Sequence, residues 1–226
     1  LKAAKNGHAE AQFAYAKMLE DGIVVPINRY KAFEYTKMAA NNEHTEAIFN
    51  YGLALFQGFG TSINLKDAIH YFKIAADKGH PESMMTYSSI LFNGNGAEIN
   101  KTEAVKYYKI AADRGVIDSM YIIADIYFNG DGTDVDYIKA AKYYKMAADK
   151  GHIDAMLKYA NCLFEGKGVK INKVDSFKYY KLAADNGNAK AMYKYATALF
   201  EGTILPLNKE VAINYFRRGA RCGNKE

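Results

Sequence analysis

Apolar and small residues recur in this chain at i, i+3, i+4 and i+7 over stretches of about a dozen residues. Glycine and asparagine break each stretch. Between Asp154 and Gly166, for example, Met156, Tyr159, Ala160 and Leu163 fall on one side of a helix. Gly166 and Gly168 stop that helix, since glycine tolerates the left-handed backbone that closes a helix end. Asn172 then reads as an N-cap, with Asp175 three residues later as its capping-box partner. A second stripe follows, Ser176, Tyr179, Tyr180, Ala183 and Ala184, and Gly187 ends it. The period-2 alternation of a strand is found nowhere. The pattern predicts an antiparallel pair of helices, each roughly 20 Å long.

The same pair is written six times. Ala-Ala recurs at 3–4, 39–40, 75–76, 111–112, 147–148 and 183–184, always 36 residues apart, with Gly219-Ala220 at the next step. Tyr35, Tyr71, Tyr107, Tyr143, Tyr179 and Tyr215 hold one register. Gly22, Gly58, Gly94, Gly130, Gly166 and Gly202 hold another, and Asn28, Asn64, Asn100, Asp136, Asn172 and Asn208 a third. The chain therefore reads as one domain over 1–226. It starts with the end of a preceding helix at 1–7 and continues with repeats at 8–43, 44–79, 80–115, 116–151, 152–187 and 188–223.

Small residues say how the helices approach. One register of the first helices is Ala16, Gly52, Ser88, Ala124, Ala160 and Ala196. One register of the second is Ala32, Ala68, Ala104, Ala140, Ser176 and Ala212. Such positions let two backbones come close while Tyr and Leu fill the space around them. A single hairpin cannot bury its own apolar face, but stacked hairpins can. The expected fold is all-α, a right-handed α-solenoid of six 36-residue helix-turn-helix units.

The residues Gly166, Gly168, Asn172, Tyr179, Tyr180, Lys181, Ala183 and Ala184, with their equivalents in the other units, resemble the Sel1-like repeat, a relative of the tetratricopeptide repeat. Tetratricopeptide units run 34 residues and lack the Gly-x-Gly loop. Units one and six depart from the pattern: Val24 and Ile204 replace the second loop glycine, followed by Pro26 and Pro206. Glu43 stands where glycine ends the other second helices, which predicts a strained junction or an altered stacking angle. The resemblance implies an adaptor or scaffold that binds proteins, without enzymatic activity or cofactor. The cysteine pair per repeat that goes with β-lactam binding in some bacterial members is missing here.

Composition narrows the partner classes. Thirty basic residues are interleaved with 25 acidic ones, and a net charge of +5 is too weak a bias to argue for a polyanion. Cys162 and Cys222 cannot build a disulfide framework, which favours a reducing compartment: the cytoplasm, with the endoplasmic-reticulum lumen as the alternative. No apolar run approaches the ~18 residues of a membrane span. The first residue is Leu1 and neither end carries a polar cap, so flanking repeats or domains are expected.

Catalytic and metal readings fail on spacing. His8, His44, His80 and His152 share one register, so successive ones are separated by about a repeat thickness, ~10 Å. Zinc ligands must lie about 2 Å from one ion. Asn129 to Asp136 has the flavour of a calcium loop, but the glycine and glutamate positions of that motif hold Asp134 and Ala140. No Ser, Cys or Lys has an evident activating base, and Cys162 falls on an apolar helix face.

Two surfaces are left as candidates. Lys37, Lys73, Lys109, Lys145, Lys181 and Arg217 form a basic row on the second helices, which would serve a nucleic-acid-binding solenoid. The first helices offer Glu46, Glu82, Asp118 and Asp154 in one register and Leu53, Ser89, Asp125 and Asn161 in another, varying where the core registers do not. Phe56, Phe92, Phe128 and Phe164 run beside them at the helix ends, with Tyr121 on the same face. By the tetratricopeptide analogy these thirteen residues line a concave groove for a protein or peptide segment. The alternatives are the basic row, or a regulatory repeat region of a larger enzyme or signalling protein.

Overall fold

The computed structural model describes residues 2–223. Thirteen helices follow one another and no strand occurs among the described residues. They are α1 (Lys2–Lys5), α2 (Ala9–Asp21), α3 (Arg29–Asn41), α4 (Thr45–Gln57), α5 (Leu65–Asp77), α6 (Pro81–Asn93), α7 (Lys101–Asp113), α8 (Ile117–Asn129), α9 (Tyr137–Asp149), α10 (Ile153–Glu165), α11 (Lys173–Asp185), α12 (Ala189–Glu201) and α13 (Lys209–Gly223). They group into two compact units, Leu1–Ala111 and Ala112–Glu226. Within each unit a helix packs on its hairpin partner and on the next helix in the chain, as in α2–α3–α4–α5–α6 and α8–α9–α10–α11–α12–α13.

Every residue of the two small registers is buried, from Ala16 and Ala32 to Ala196 and Ala212. At Gly52 the approach is so close that a Cβ would lie 2.9 Å from the Phe72 ring. The serines in these rows bring their own acceptors. Ser88 Oγ donates to the Met84 carbonyl at 2.6 Å, and Ser176 Oγ to the Ala160 carbonyl at 2.7 Å. Around each close contact a first-helix tyrosine meets a second-helix tyrosine edge to face. Tyr15–Tyr35, Tyr51–Tyr71, Tyr87–Tyr107, Tyr159–Tyr179 and Tyr195–Tyr215 have centroids 4.7–5.1 Å apart. Such pairs add about 0.5–1.5 kcal/mol beyond their buried area. The fourth repeat has Ile123 at that position, and Tyr143 stacks on Tyr127 instead.

The hairpin loops explain the glycine and asparagine registers. A left-handed glycine caps the first helix, and the aliphatic residue five positions on folds back over it: Ile171 over Gly166, Ile63 over Gly58. The asparagine side chain then caps the second helix. Asn172 Oδ1 accepts from the Asp175 amide at 3.1 Å, and Asn64 Oδ1 from the Asp67 amide at 3.2 Å. The reciprocal bond differs from a capping box. Asp175 and Asp67 accept from the asparagine side-chain amide, because its backbone N–H already donates to a first-helix carbonyl, Asn172 to Leu163 and Asn64 to Leu55.

Successive repeats are joined by rungs. In the last four repeats the tyrosine of the register that starts at Tyr35 lies beside the helix end of the repeat before it, and its hydroxyl donates to an aspartate 30 residues earlier. The pairs are Tyr107 to Asp77, Tyr143 to Asp113 at 2.8 Å, Tyr179 to Asp149 at 2.9 Å, and Tyr215 to Asp185. Burial is the main reason these phenols titrate above their ordinary value, with the facing carboxylate adding to it.

The end of α3 settles the question at Glu43. Gly79, Gly151 and Gly187 occupy its register with φ of 95–100°, and Glu43 adopts φ 62°. The junction therefore keeps the common turn and carries the strain of a left-handed non-glycine residue, about 1–2 kcal/mol. Exchange Glu43→Gly is expected to stabilise the protein by about 1 kcal/mol, read as a higher midpoint in thermal or urea unfolding. Gly168 shows the opposite case: with φ 73° its Cβ would lie 1.8 Å from the Tyr137 carbonyl oxygen. Gly168→Ala is expected to cost about 2–4 kcal/mol in the same measurement.

Candidate functional site

None of the thirteen first-helix candidates is buried. Glu46, Glu82, Asp118 and Asp154 are exposed; Leu53, Phe56, Ser89, Phe92, Tyr121, Asp125, Phe128, Asn161 and Phe164 are half-buried. The first unit presents Glu46, Leu53, Phe56, Glu82, Ser89 and Phe92 on α4 and α6, and the second unit presents the other seven on α8 and α10.

Glu46, Asp118 and Asp154 reach the next repeat's N-cap residue, whereas Glu82 does not, because Val116 stands there without a side-chain cap bond. His80 Nδ1 accepts from the Ser83 amide at 3.2 Å, capping α6, and its Nε2 lies 2.8 Å from Glu46 Oε2. Glu82 is 3.5 Å from the same nitrogen. The bond to His80 holds the Glu46 carboxyl below its ordinary range. His44 and His152 cap α4 and α10 in the same way, and Asp118 stands 4.0 Å from His152 Nε2. Asn188 takes the histidine's place in the sixth repeat, capping α12 and donating to Asp154 Oδ1 at 3.0 Å. His44, His80 and His152 are thus helix caps in register with the fold, and His8 holds the same position without a side-chain cap bond. Tyr121 completes this edge, its ring stacked on that of His152 at 4.4 Å.

The second register faces the hairpin partner. Asp125 accepts from the Tyr144 hydroxyl and Asn161 Oδ1 from the Tyr180 hydroxyl at 2.7 Å, and Ser89 holds the same position opposite Tyr108. Where Leu53 replaces the polar residue, the facing register holds Phe72. Burial, then the bond to Asp125, pushes the Tyr144 phenol above its ordinary value. Lys158 adds an ion pair to Asp125 at 3.4 Å. In these four repeats the variation along the register therefore follows the residue it covers, whereas Thr197, opposite Phe216, donates to the Tyr193 carbonyl and Lys17, opposite Thr36, to Asn50. The joint change of 53/72, 89/108, 125/144 and 161/180 was visible in the sequence as a paired alternation.

The phenylalanines pack inside their own repeats. Phe56 meets Phe72, Phe92 meets Tyr108, Phe128 meets Tyr137 and Tyr144, and Phe164 meets Phe177, at 5.1–6.4 Å between centroids. The first residue of the second helix leans over them: Lys101 Nζ is 4.9 Å from the Phe92 centroid, and Lys173 Nζ 5.4 Å from that of Phe164. Each ring keeps one part in the core and one part open.

The basic row of the second helices is largely neutralised. Lys145 and Lys181 bond Asp149 and Asp185 one turn on, at 2.6 and 2.7 Å, and Lys73 bonds Glu103 at 3.0 Å. Cys162 is 2% exposed, and burial pushes its thiol up to about 11, while Cys222 is exposed. No group of three His, Cys, Asp or Glu side chains suited to a metal ion occurs among the described residues.

Helix pairs in 36-residue register, capped by Asn and Gly and joined by tyrosine rungs, define a helical-repeat protein of the α-solenoid class. The Sel1 repeat family matches six consecutive segments, residues 9–44, 45–80, 81–116, 117–152, 153–188 and 189–224, and the chain belongs to that family. A crystal structure of a Sel1 repeat protein from Oxalobacter formigenes is 28% identical, with a TM-score of 0.72, over 94% of this chain and 85% of that one. A protective antigen of uropathogenic Escherichia coli with an SLR fold is 24% identical with a TM-score of 0.65. It is matched over 99% of this chain, which spans 56% of its length. No curated protein matches the chain significantly. Sel1 repeat proteins are generally protein-interaction scaffolds. Among the described residues no helix is long and apolar enough to cross a membrane.

The pairing across the hairpin can be checked directly. Asp125→Leu leaves the Tyr144 hydroxyl without its acceptor and is expected to cost about 1–3 kcal/mol. Adding Tyr144→Phe, which recreates the Leu53/Phe72 combination, should restore most of that loss in a double-mutant cycle read by urea unfolding.

Proposed function

We infer that this chain is a non-enzymatic scaffold that holds a protein or peptide segment on the faces of its first helices. The observation that carries this reading is a contrast between registers. The buried rows repeat nearly the same small residues, whereas the half-buried row Leu53, Ser89, Asp125 and Asn161 on α4, α6, α8 and α10 changes charge and size from repeat to repeat beside carboxylates that stay exposed. A preformed, rigid surface keeps the ordering cost of association low. The open parts of Phe92, Phe128 and Phe164 supply apolar contact. Glu82 and Asp118, the most weakly tied of the carboxylates, attract basic side chains and set register. Phe128 and Phe164 are also core residues, so their contribution is inseparable from stability, and the exposed carboxylates make the cleaner probe.

The nucleic-acid reading of the second helices is weakened by the Asp149 and Asp185 partners of its lysines. The two readings separate in one capture experiment on tagged protein, with bound material identified by mass spectrometry and nucleic-acid staining. Glu82→Lys with Asp118→Lys is expected to reduce capture of the protein partner at least tenfold, with the thermal midpoint unchanged. Lys145→Glu with Lys181→Glu should leave that capture intact. The reverse pattern, with recovered nucleic acid and a steep salt dependence, would assign binding to the basic row.

A further inference from the structure

The first and sixth repeats carry Val24 and Ile204 in place of the second loop glycine; Val24 keeps the left-handed backbone at φ 69°, and the sixth repeat alone departs from it, with a consequence between α10, α11 and α12 in the second unit. Gly168 of the fifth repeat sits where a Cβ would strike the Tyr137 carbonyl oxygen at 1.8 Å, and Gly60 of the second meets the Arg29 carbonyl oxygen in the same way at 2.2 Å. The sixth repeat has Ile204 at this position. A branched side chain cannot make that approach, and Ile204 is not among the residues with positive φ. Its loop takes another path and leaves a pocket of about 200 Å³, lined by Phe164, Phe177, Tyr180, Thr197, Ala198 and Ile204 among others. A cavity of ~150 Å³ admits benzene, whereas drug-sized ligands need roughly 300 Å³ or more. The pocket therefore has the capacity for one bulky side chain.

Charge changes sign at the same place. The register that reads Asp118 and Asp154 in the preceding repeats of this unit becomes Lys190. Lys194, one turn on, stands at the pocket rim with its Nζ 5.4 Å from the Tyr180 centroid. Both lysines are exposed, and neither has an ion-pair partner among the described residues. The counterpart of Lys194 in the fifth repeat, Lys158, is paired with Asp125. The carboxylate at the rim, Glu201, lies seven residues beyond Lys194, about 10 Å along the helix.

We propose that this pocket seats one bulky apolar side chain of a peptide segment whose acidic residues lie against Lys190 and Lys194. The assignment rests on the first helices being the partner face and gives that face a direction within the second unit: basic partner residues over Asp118, acidic ones over α12. Glu201 confines the acidic part to the Lys194 end.

The test uses two fluorescein-labelled heptapeptides in anisotropy titrations, one with a central phenylalanine flanked by aspartates, the other with lysines in place of the aspartates. The aspartate peptide is expected to bind at least tenfold more tightly. Ile204→Gly, which restores the loop glycine of the second to fifth repeats, and Thr197→Trp, which fills the pocket, should each weaken it at least tenfold. Lys190→Glu with Lys194→Glu should abolish the preference. Melting curves select the variants that fold. Equal or tighter binding of the lysine peptide would overturn the proposal. So would parental affinity in any folded pocket variant, including the case in which only the lysine reversals matter. Such a failure, with partner capture still lost on Glu82→Lys and Asp118→Lys, would remove the pocket and leave the scaffold reading standing.

Discussion

Everything in this protein depends on how closely two helices can lie when one row on each carries almost no side chain. Ala160 against Ser176, or Gly52 beneath Phe72, brings backbones together at the centre of each hairpin. That approach places the large residues around the seam and at the edges. Tyrosines then meet edge to face, and their hydroxyls emerge beside the preceding repeat's helix end. A larger residue in either row would push the tyrosines apart and move each rung off its aspartate. The seam thus governs both the hairpin and the joint between hairpins.

The same geometry divides the surface. Lys145 and Lys181 find aspartates one turn away and Lys73 finds Glu103, so much of the row that looks strongly basic in one dimension is paired in three. Glu46, Asp118 and Asp154 meet the caps of the following helices, and polar residues on the same face answer tyrosines beneath them. Part of the scaffold's polar bonding is therefore carried by the residues that face outward, and a partner has to recognise a surface already organised by the fold. The exposed Glu82 and Asp118, and the unpaired lysines of α12, are where that surface is least committed.

Much of this was legible beforehand. The helix pairs, their boundaries near glycine and asparagine, and the buried small rows follow from periodicity because each is a local property of about a dozen residues. Asn172 could be named as a cap for the same reason. The reciprocal bond of Asp175 could not, because it depends on where the Leu163 carbonyl lies. The Tyr179–Asp149 rung escaped because periodicity fixes a residue's side of a helix and is silent on which neighbour it meets. Asp125 and Asn161 looked free to vary, since one column of residues was read without the column it covers. At Glu43 strain was one of two expectations, and the backbone angle decides for it. Ile204 was visible as an altered loop, but the pocket beside it requires knowing how tightly Gly168 meets Tyr137.

The rungs link residues 30 positions apart and the cap contacts residues 34 apart, less than one repeat in either case. No bond of either kind reaches past the adjoining hairpin. Duplicating or excising 36 residues where Asp and a His or Asn cap recur therefore leaves the donors facing acceptors of the right type, whereas Asn41 and Val116 interrupt the two series. Length in such a chain is free to drift by whole units through unequal recombination, with the joints intact and the outward-facing residues reshuffled. A new order of repeats is then a new order of charges on an unchanged frame.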